Sequence, residues 1–123
     1  ASDVYKRQEE NAVAKESMLT KDVIHLITVT KGRPGAAAIV NEAGKLVGVF
    51  TDGNLRRCLD DGSDFLSKPV SNYMGKNPKT CTPDQLIEEA LRIMSQFKID
   101  QIIVVANDRP LGTLDIQDIV AIT

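Results

Sequence analysis

Two stretches of the chain place a polar side chain where an apolar strand gives way to a helix. The first covers residues 48–55 and has Thr51 at the junction; the second covers residues 112–119. The hydroxyl of Thr51 and the free backbone N–H groups of the first helical turn can together hold a phosphate, because the N-terminal end of a helix is partially positive. The first junction, with Thr51 and Asp52, is therefore a candidate anion site.

Other charged residues near the junctions modify this expectation. Arg56 and Arg57 follow on the same helix, and we expect both to lie a turn too far along to reach an anion at its start. Asp115 occupies the matching position of the second junction, where a carboxylate can cap the helix and would repel a phosphate. Helix capping alone is also an alternative role for Thr51.

The two junctions end two copies of one sequence unit. Gly48 and Gly112 lie 64 positions apart, whereas Ile39 and Val104 lie 65 apart, because the second turn is one residue shorter. Each copy reads as an apolar strand, a polar turn, a second strand and a helix. The pattern predicts an α/β fold in which two half-size repeats share a core.

Hydrophobic periodicity predicts the elements that position the junctions. A short strand is expected over residues 12–14, and a helix from Thr20 that stops near residues 32–35. Further strands are predicted at residues 36–40, 45–50, 102–105 and 111–114, and further helices at residues 52–61 and 116–122. Leu55 and Leu59 are four residues apart, so we expect both to face the core.

The clearest helix start is the sequence Thr82-Pro83-Asp84-Gln85. Threonine can cap, proline suits the first helical position, and glutamine can close a capping box. The apolar side chains that follow form one stripe, which we assign to the core: Leu86, Ile87, Ala90, Leu91, Met94 and Phe97. Nothing in the pattern of Met94 or Phe97 suggests a cofactor site.

Composition narrows the classes of function. Among 123 residues, 15 Lys and Arg against 17 Asp and Glu give a net charge of -2, which offers no basic field for nucleic acid or an acidic membrane. No apolar run approaches the roughly 20 residues that span a bilayer. Two cysteines, Cys58 and Cys81, are too few for a disulfide scaffold, so we expect reduced thiols and a cytoplasmic location.

An active site within these residues is not expected. His25 is the single histidine and has no second ligand nearby, and the two cysteines lack metal-ligand spacing. We therefore predict neither catalysis nor a metal site in this chain. Because it lacks an initiator methionine and a repeat begins almost at once, we expect a piece of a longer protein whose other part carries the chemistry.

The order and content of these features resemble the paired CBS domains, or Bateman module. The resemblance covers nearly the whole chain and rests on an M-x-x-x-P start (residues 74–78), the helical Glu89-Ala90-Leu91, an apolar strand and a Gly-x-Phe-Thr-Asp ending (residues 48–52). It implies two β-α-β-β-α repeats packed with pseudo-two-fold symmetry and a homodimer formed through helix faces. The first repeat would cover residues 1–69, with a linker at 62–69, and the second residues 70–123.

The resemblance also implies where a ligand would bind. Many CBS domains use Thr or Ser at the junction to contact phosphate, and Asp three residues later to bind both ribose hydroxyls. Here Thr51 is followed by Asn54, which keeps an acceptor but lacks the charge, whereas Asp118 matches the ribose aspartate and Asp115 replaces the hydroxyl. Neither copy carries the full adenosine-phosphate pattern. Three further residues are assigned to the clefts by resemblance alone: Lys15, Lys79 and Thr80.

A narrower resemblance concerns residues 50–57, Phe-Thr-Asp-Gly-Asn-Leu-Arg-Arg. This run is similar to the Phe-Thr-Asp-Gly-Asp-Leu-Arg-Arg signature in the C-terminal CBS pair of arabinose-5-phosphate isomerases, which serve Kdo and lipopolysaccharide synthesis. In that family an N-terminal sugar-isomerase domain is catalytic. The resemblance implies that this chain is the regulatory end of such an isomerase.

Three functions remain open at this stage. The first is a ligand-sensing module that binds an adenosine or cytidine nucleotide, or a nucleotide-sugar, as an allosteric ligand. The second is a structural CBS pair that dimerises with empty clefts. The third attaches the module to another partner, such as a nucleotidyltransferase, a transporter or a stand-alone signalling protein.

Overall fold

The computed structural model describes residues 11–30, 35–62, 64–85 and 87–117. Its strands are β1 (Ala12–Lys15), β2 (Ala36–Val40), β3 (Leu46–Thr51), β4 (Gly75–Lys76), β5 (Thr80–Cys81), β6 (Gln101–Ala106) and β7 (Arg109–Asp115). Its helices are α1 (Thr20–Val29), α2 (Asp52–Asp61) and α3 (Ile87–Phe97), with single 3-10 turns at Phe65–Ser67 and Val70–Asn72. The helix predicted at residues 116–122 lies outside the described residues except for its first two positions.

The strands form two sheets with the same internal order. In the first sheet β1 pairs in parallel with β2, and both β2 and β4 pair antiparallel with β3. In the second sheet β5 pairs in parallel with β6, which pairs antiparallel with β7. A helix connects each parallel pair, as a parallel connection requires. The α/β class and the two-repeat organisation are confirmed.

The antiparallel pairs β2–β3 and β6–β7 carry a β-bulge at the same place. The extra residue is Val47 on β3 and Leu111 on β7, each directly before the glycine of its repeat, Gly48 or Gly112. A bulge adds one unpaired residue and bends its strand. Val47 and Leu111 are as far apart in the chain as the two glycines. The two repeats therefore share this irregularity of the backbone as well as their regular elements.

Each sheet has its own apolar core, so the expectation that the two repeats share one core is wrong. All five residues of β2 are buried, as are Ile102, Ile103 and Val104 of β6, which fits strands covered on both faces. The first core cluster includes Ala12, Val23, Ile39, Phe50, Cys58, Phe65 and Val70, and the second includes Cys81, Ala90, Met94, Ile102, Val104 and Leu114. The uniformly apolar runs in the sequence correctly predicted both central strands.

The segment between the repeats packs against the first sheet. Val70 is fully buried in the first core cluster, and its backbone N–H donates to the carbonyl of Met18 at 2.8 Å. The hydroxyl and the backbone N–H of Thr20 both donate to the carbonyl of Lys68, at 2.8 and 2.9 Å. The chain passes from the first sheet to the second between β4 and β5. The sequence boundary between residues 69 and 70 stays a prediction.

The two hairpin turns differ in length, and the second touches the first repeat. In the longer turn, Oδ1 of Asn41 accepts two backbone N–H groups at 3.0 Å. The shorter turn consists of Asn107 and Asp108, with φ of 53° and 65°, the conformation of a two-residue type I′ turn. The carbonyl of Asp108 accepts the backbone N–H of Leu46 at 2.8 Å. This bond ties the second repeat to the edge of β3.

The buried face of α2 differs from the predicted one. Leu55 packs partly against the first core cluster, but Leu59 is 62% exposed. Asn54 and Cys58, also four residues apart, are buried instead. The prediction for Leu59 is wrong because Asn54, a polar residue, is held inside by hydrogen bonds, and the buried face is rotated by one residue.

The predicted helix start at residues 82–85 is wrong, because α3 begins at Ile87 and residues 83–85 form a turn. Oε1 of Gln85 accepts the backbone N–H of Thr82 at 2.8 Å, and this hydrogen bond closes the turn ahead of the helix. A hydrogen bond from the side chain of Thr82 lowers the pKa of Asp84, so this carboxylate stays charged near the positive end of the helix.

The apolar stripe of α3 is core for only part of its length. Ala90 and Met94 are buried in the second core cluster. Phe97, the last residue of α3, is 44% exposed, so its assignment to the core is wrong. Its ring lies in the cleft described below.

No helix in the described ranges is long and apolar enough to cross a membrane. Among the same residues, no group of three His, Cys, Asp or Glu side chains is arranged to hold a metal ion. His25 lies exposed on α1.

A pair of alanine substitutions tests the corrected packing of the first repeat. Ile39→Ala should lower the free energy of unfolding by about 2–5 kcal/mol, because it leaves a cavity in the first core cluster. Leu59→Ala should change it by less than about 0.5 kcal/mol, because this side chain is exposed. Urea unfolding followed by circular dichroism measures both. Equal losses from the two variants would contradict this packing.

Candidate ligand-binding cleft

A cleft of about 990 Å³ opens where elements of both repeats meet. Its walls are the first turns of α2, the segment between β4 and β5, the end of α3, the start of β6 and the end of β7. Both strand-to-helix junctions, at Thr51 and Asp115, line this one cleft. The sequence repeat thus brings the two candidate sites together.

Thr51 is the N-cap residue of α2, and the side chain of Asn54 holds it in place. The two residues form a capping box in which Oδ1 of Asn54 accepts the backbone N–H of Thr51 at 2.8 Å. The same oxygen accepts the Thr51 hydroxyl at 2.9 Å. Capping of the helix is therefore one role of this pair. The Thr51 hydroxyl must rotate away from Asn54 before it can donate a hydrogen bond to a ligand.

Asn54 itself lies behind the cleft. It is only 6% exposed, and its Nδ2 donates to the carbonyl of Tyr73 at 3.3 Å. Both ends of the amide are thus used inside the protein, and the side chain is not among those that line the cleft. The role of Asn54 in ribose binding stays a prediction, but its observed hydrogen bonds are structural.

Arg56 and Arg57 both line the cleft. Nη1 of Arg57 lies 3.8 Å from the position that a Cβ atom on Gly53 would take, beside the first turn of α2. The expectation that these arginines lie a turn too far along is therefore wrong, because both line the cleft and the side chain of Arg57 reaches back toward the helix start. Among the described residues neither arginine forms an ion pair, so both charges are available to an anion.

Asp115 presents a carboxylate from the second repeat. Its Oδ1 accepts the backbone N–H of Gln117 at 2.8 Å, the bond expected of a helix cap, and its Oδ2 accepts Nε2 of Gln101 at 3.0 Å. Each oxygen retains acceptor capacity, because a carboxylate has about four lone-pair sites. Asp115 can therefore accept hydroxyl or amine donors while it repels a phosphate.

Charges of both signs line the cleft. The cations are Arg56, Arg57, Lys79 and Lys98, and the carboxylates are Asp52, Asp100 and Asp115. Nζ of Lys79 lies 4.1 Å from the ring centroid of Phe97. The arrangement suits a ligand that carries both an anionic group and hydrogen-bond donors.

The structure brings some predicted site residues into the cleft and not others. Thr51, Asp52, Asp115 and Lys79 line it. Lys15 lies elsewhere, exposed, with Nζ 3.2 Å from Oε2 of Glu42, and Thr80 is half-buried on β5 and does not line it. Asp118 is outside the described residues. For all of these residues, ligand contact stays a prediction.

Sequence reasoning missed three of the residues that shape the cleft. The sequence pattern predicts that Arg56 and Arg57 lie too far along the helix to reach an anion, and it assigns Phe97 to the core. Two consecutive arginines beside a helix start are a sequence signal for an anion site that could have been used. No feature of the sequence indicates that Phe97 is exposed.

Both cysteines are buried and free. Burial raises the pKa of the Cys58 thiol, with a further rise from the Asp61 carboxylate, and burial also raises the pKa of Cys81. A raised pKa keeps a thiol protonated and weakly nucleophilic. Neither side chain lines the cleft, so thiol chemistry has no part in the site.

Comparison with known proteins identifies the family. The family model for the CBS domain matches residues 2–61 and 70–122. The chain therefore belongs to the CBS domain family and contains two copies of that domain, as the sequence resemblance predicted.

A curated relative is the arabinose 5-phosphate isomerase KdsD of Pseudomonas aeruginosa, 41% identical over 95 residues, which are 76% of this chain and 29% of the relative. The chain thus spans less than a third of that protein. The resemblance to the CBS region of these isomerases is confirmed.

Solved structures share the fold. The CBS domain pair of protein MJ0100, in complex with 5-methylthioadenosine and S-adenosyl-L-methionine, has a TM-score of 0.83 at 22% identity, covering 98% of this chain and 95% of that one. CBSX2 in complex with AMP has a TM-score of 0.79 at 21% identity, covering 98% and 92%. At these identities the likeness establishes the architecture.

The matched substitutions Asn54→Ala and Asn72→Ala test the hydrogen bonds behind the cleft. Asn54→Ala leaves the N–H of Thr51 and the carbonyl of Tyr73 without their partner, and should lower the free energy of unfolding by about 1–3 kcal/mol. Asn72 is exposed, so Asn72→Ala should cost less than about 0.5 kcal/mol. Denaturant unfolding gives both values. Equal costs would mean that Asn54 does not anchor α2.

Proposed function

We propose that this chain is the ligand-sensing regulatory module of an arabinose 5-phosphate isomerase and that its cleft binds a nucleotide or a nucleotide-sugar. The observation that carries the proposal is the cleft of about 990 Å³, which joins a helix start, a carboxylate and two arginines that form no ion pair with any residue the structure describes. Its volume lies at the upper end of ordinary small-molecule pockets.

The charges of the cleft support a definite orientation of the ligand. A phosphate favours the start of α2, where the partial positive charge of the helix and the guanidinium groups of Arg56 and Arg57 act together. Asp115 would repel a phosphate but accept hydroxyl or amine donors. We therefore orient the phosphate toward α2 and the sugar or base toward β7.

Related structures support the class of ligand. Their bound molecules, 5-methylthioadenosine, S-adenosyl-L-methionine and AMP, all contain adenosine. In this chain Asn54 is buried and hydrogen-bonded within the protein. Its hydrogen bonds to a ribose would therefore be weaker than those of an exposed aspartate. We leave the choice between adenosine and cytidine ligands to experiment.

Catalysis in this proposal belongs to a domain outside the chain. The relative from Pseudomonas aeruginosa is an arabinose 5-phosphate isomerase, and the chain matches the CBS region of it, 29% of its length. We propose that ligand binding here modulates that isomerase in the synthesis of Kdo and lipopolysaccharide. Two free, buried thiols suit the reducing cytoplasm, where we place the protein.

Thermal-shift measurements test the proposed ligand class. The 123-residue chain is melted with AMP, ATP, S-adenosylmethionine, CMP and CMP-Kdo. A ligand at 100 times its dissociation constant should stabilise the fold by about 2.7 kcal/mol, a readily visible shift for a domain of this size.

Variants that remove a positive charge test whether the ligand binds in the cleft. Arg56→Gln and Arg57→Gln should each weaken binding of the phosphorylated ligand about five- to tenfold, through loss of a charged contact. Arg92→Gln is the matched control, because Arg92 is exposed and pairs with Glu89 away from the cleft. A flat response to all five ligands from a cooperatively melting chain would refute the proposal.

A second candidate role, that of a dimerising element, is favoured by exposed apolar side chains. Val29 at the end of α1 and Leu59 near the end of α2 are 60% and 62% exposed. Exposed apolar side chains on helices suit contact with a second copy of the chain. This role is compatible with ligand sensing.

Light scattering tests the proposed homodimer. The chain should have the mass of a dimer, and Leu59→Glu should shift it toward monomer, because a buried charge opposes association. Leu111→Glu is the control, since Leu111 is also an exposed apolar side chain but lies on β7 in the second sheet and on neither helix. A monomer at all concentrations would rule out this role.

A further inference from the structure

Phe97 belongs to neither apolar core cluster of the described residues. The other apolar residues on its face of α3, Ala90 and Met94, are almost fully buried, whereas Phe97 is 44% exposed and lines the cleft. Exposing so large an apolar ring to water is unfavourable unless it meets a partner. Within the described residues, the ring's recorded contact is with a cation.

That cation is the ammonium group of Lys79. Its Nζ lies over the ring at 4.1 Å from the centroid, within the range of a cation–π interaction. Lys79 is itself exposed, and at an exposed site such an interaction is weak enough for another group to displace it. The ring face under Lys79 is therefore accessible to a planar ligand group.

We propose that Phe97 is the stacking platform for the aromatic base of the ligand and that the base displaces Lys79 from the ring. The displaced ammonium group remains in the cleft with Arg56 and Arg57, where it pairs with the phosphate of the same ligand. The inference rests on the proposed function and deepens it: the site selects an anion that carries an aromatic ring over a sugar phosphate alone.

The selectivity has a physical basis in the ring. A base offers a flat π-face that covers Phe97, and stacking of this kind tolerates different bases. A sugar phosphate can satisfy the arginines but leaves the ring exposed. Ring stacking therefore distinguishes a nucleotide from the sugar phosphates that an isomerase handles.

The test compares ligands that differ only in the base. Binding of AMP, CMP and ribose 5-phosphate to the 123-residue chain is measured by calorimetry, with Phe97→Leu alongside. Leucine keeps an apolar side chain but has no π-face. The unaltered chain should bind at least one nucleotide about tenfold or more tighter than ribose 5-phosphate, and Phe97→Leu should reduce the preference to within about threefold without changing ribose 5-phosphate binding.

Two further variants report on the ring and the lysine. The chain has no tryptophan, so Phe97→Trp places a single indole at the platform, and its fluorescence should be quenched by the nucleotide and not by ribose 5-phosphate. Lys79→Gln should weaken nucleotide binding about fivefold, because the displaced ammonium group pairs with the phosphate, and should change ribose 5-phosphate binding less, because without a base Lys79 stays on the ring.

The outcomes separate the two proposals. If the unaltered chain binds a nucleotide and Phe97→Leu, which melts cooperatively, binds it equally well, the platform is refuted while the proposed function stands. If Phe97→Leu changes only the oligomeric mass, the ring belongs to an interface and the platform is also refuted. If the unaltered chain binds neither AMP nor CMP, the platform is refuted, whereas the proposed function falls only if the chain also fails to respond to all five ligands in the thermal-shift measurement.

Discussion

The side chain of Asn54 is the contact on which the geometry of the cleft depends. Its Oδ1 fixes the start of α2 through Thr51, and its Nδ2 fixes the carbonyl of Tyr73 in the segment that leads to the second repeat. One buried amide thus joins a wall of the cleft to the connection between the sheets. Because a buried amide without partners is costly, the arrangement is held at both ends.

This use of Asn54 makes the two junctions chemically unequal. At the first, a neutral amide caps the helix from inside, and the helix start with its arginines faces the cleft without a carboxylate at the capping position. At the second, Asp115 supplies the cap and brings a negative charge into the same cleft. Two copies of one structural unit therefore provide opposite ends of one site, which neither copy would form alone.

The sequence predicted the parts of the fold that depend on apolar pattern. The runs that became β2 and β6 and the position of α2 were visible, because burial of a whole strand or stripe leaves a periodic signal. The start of α3 was misplaced, because the polar residues Thr82 and Gln85 close a turn ahead of the helix. The apolar pattern gave the wrong burial for Leu59 and Phe97, because their exposure depends on how a helix is rotated against the sheet or on where the helix ends. Sequence reasoning also misjudged Arg56 and Arg57, because the reach of a long side chain is set by its conformation and not by its spacing. The pairing of Lys15 with Glu42 links residues that are distant in the chain and had no local signature.

The bulges at Val47 and Leu111 also constrain how the repeat could diverge. Side chains alternate across a strand, so one unpaired residue exchanges the inner and outer faces for everything that follows it. Deleting a bulged residue would turn the last residues of β3 or β7 to the opposite side, and with them Thr51 or Asp115. Substitutions at the two junctions would leave this register intact, whereas an insertion or deletion at the bulge would remove a junction from the cleft. The chain length between bulge and helix is thus under stricter constraint than the identity of the residues.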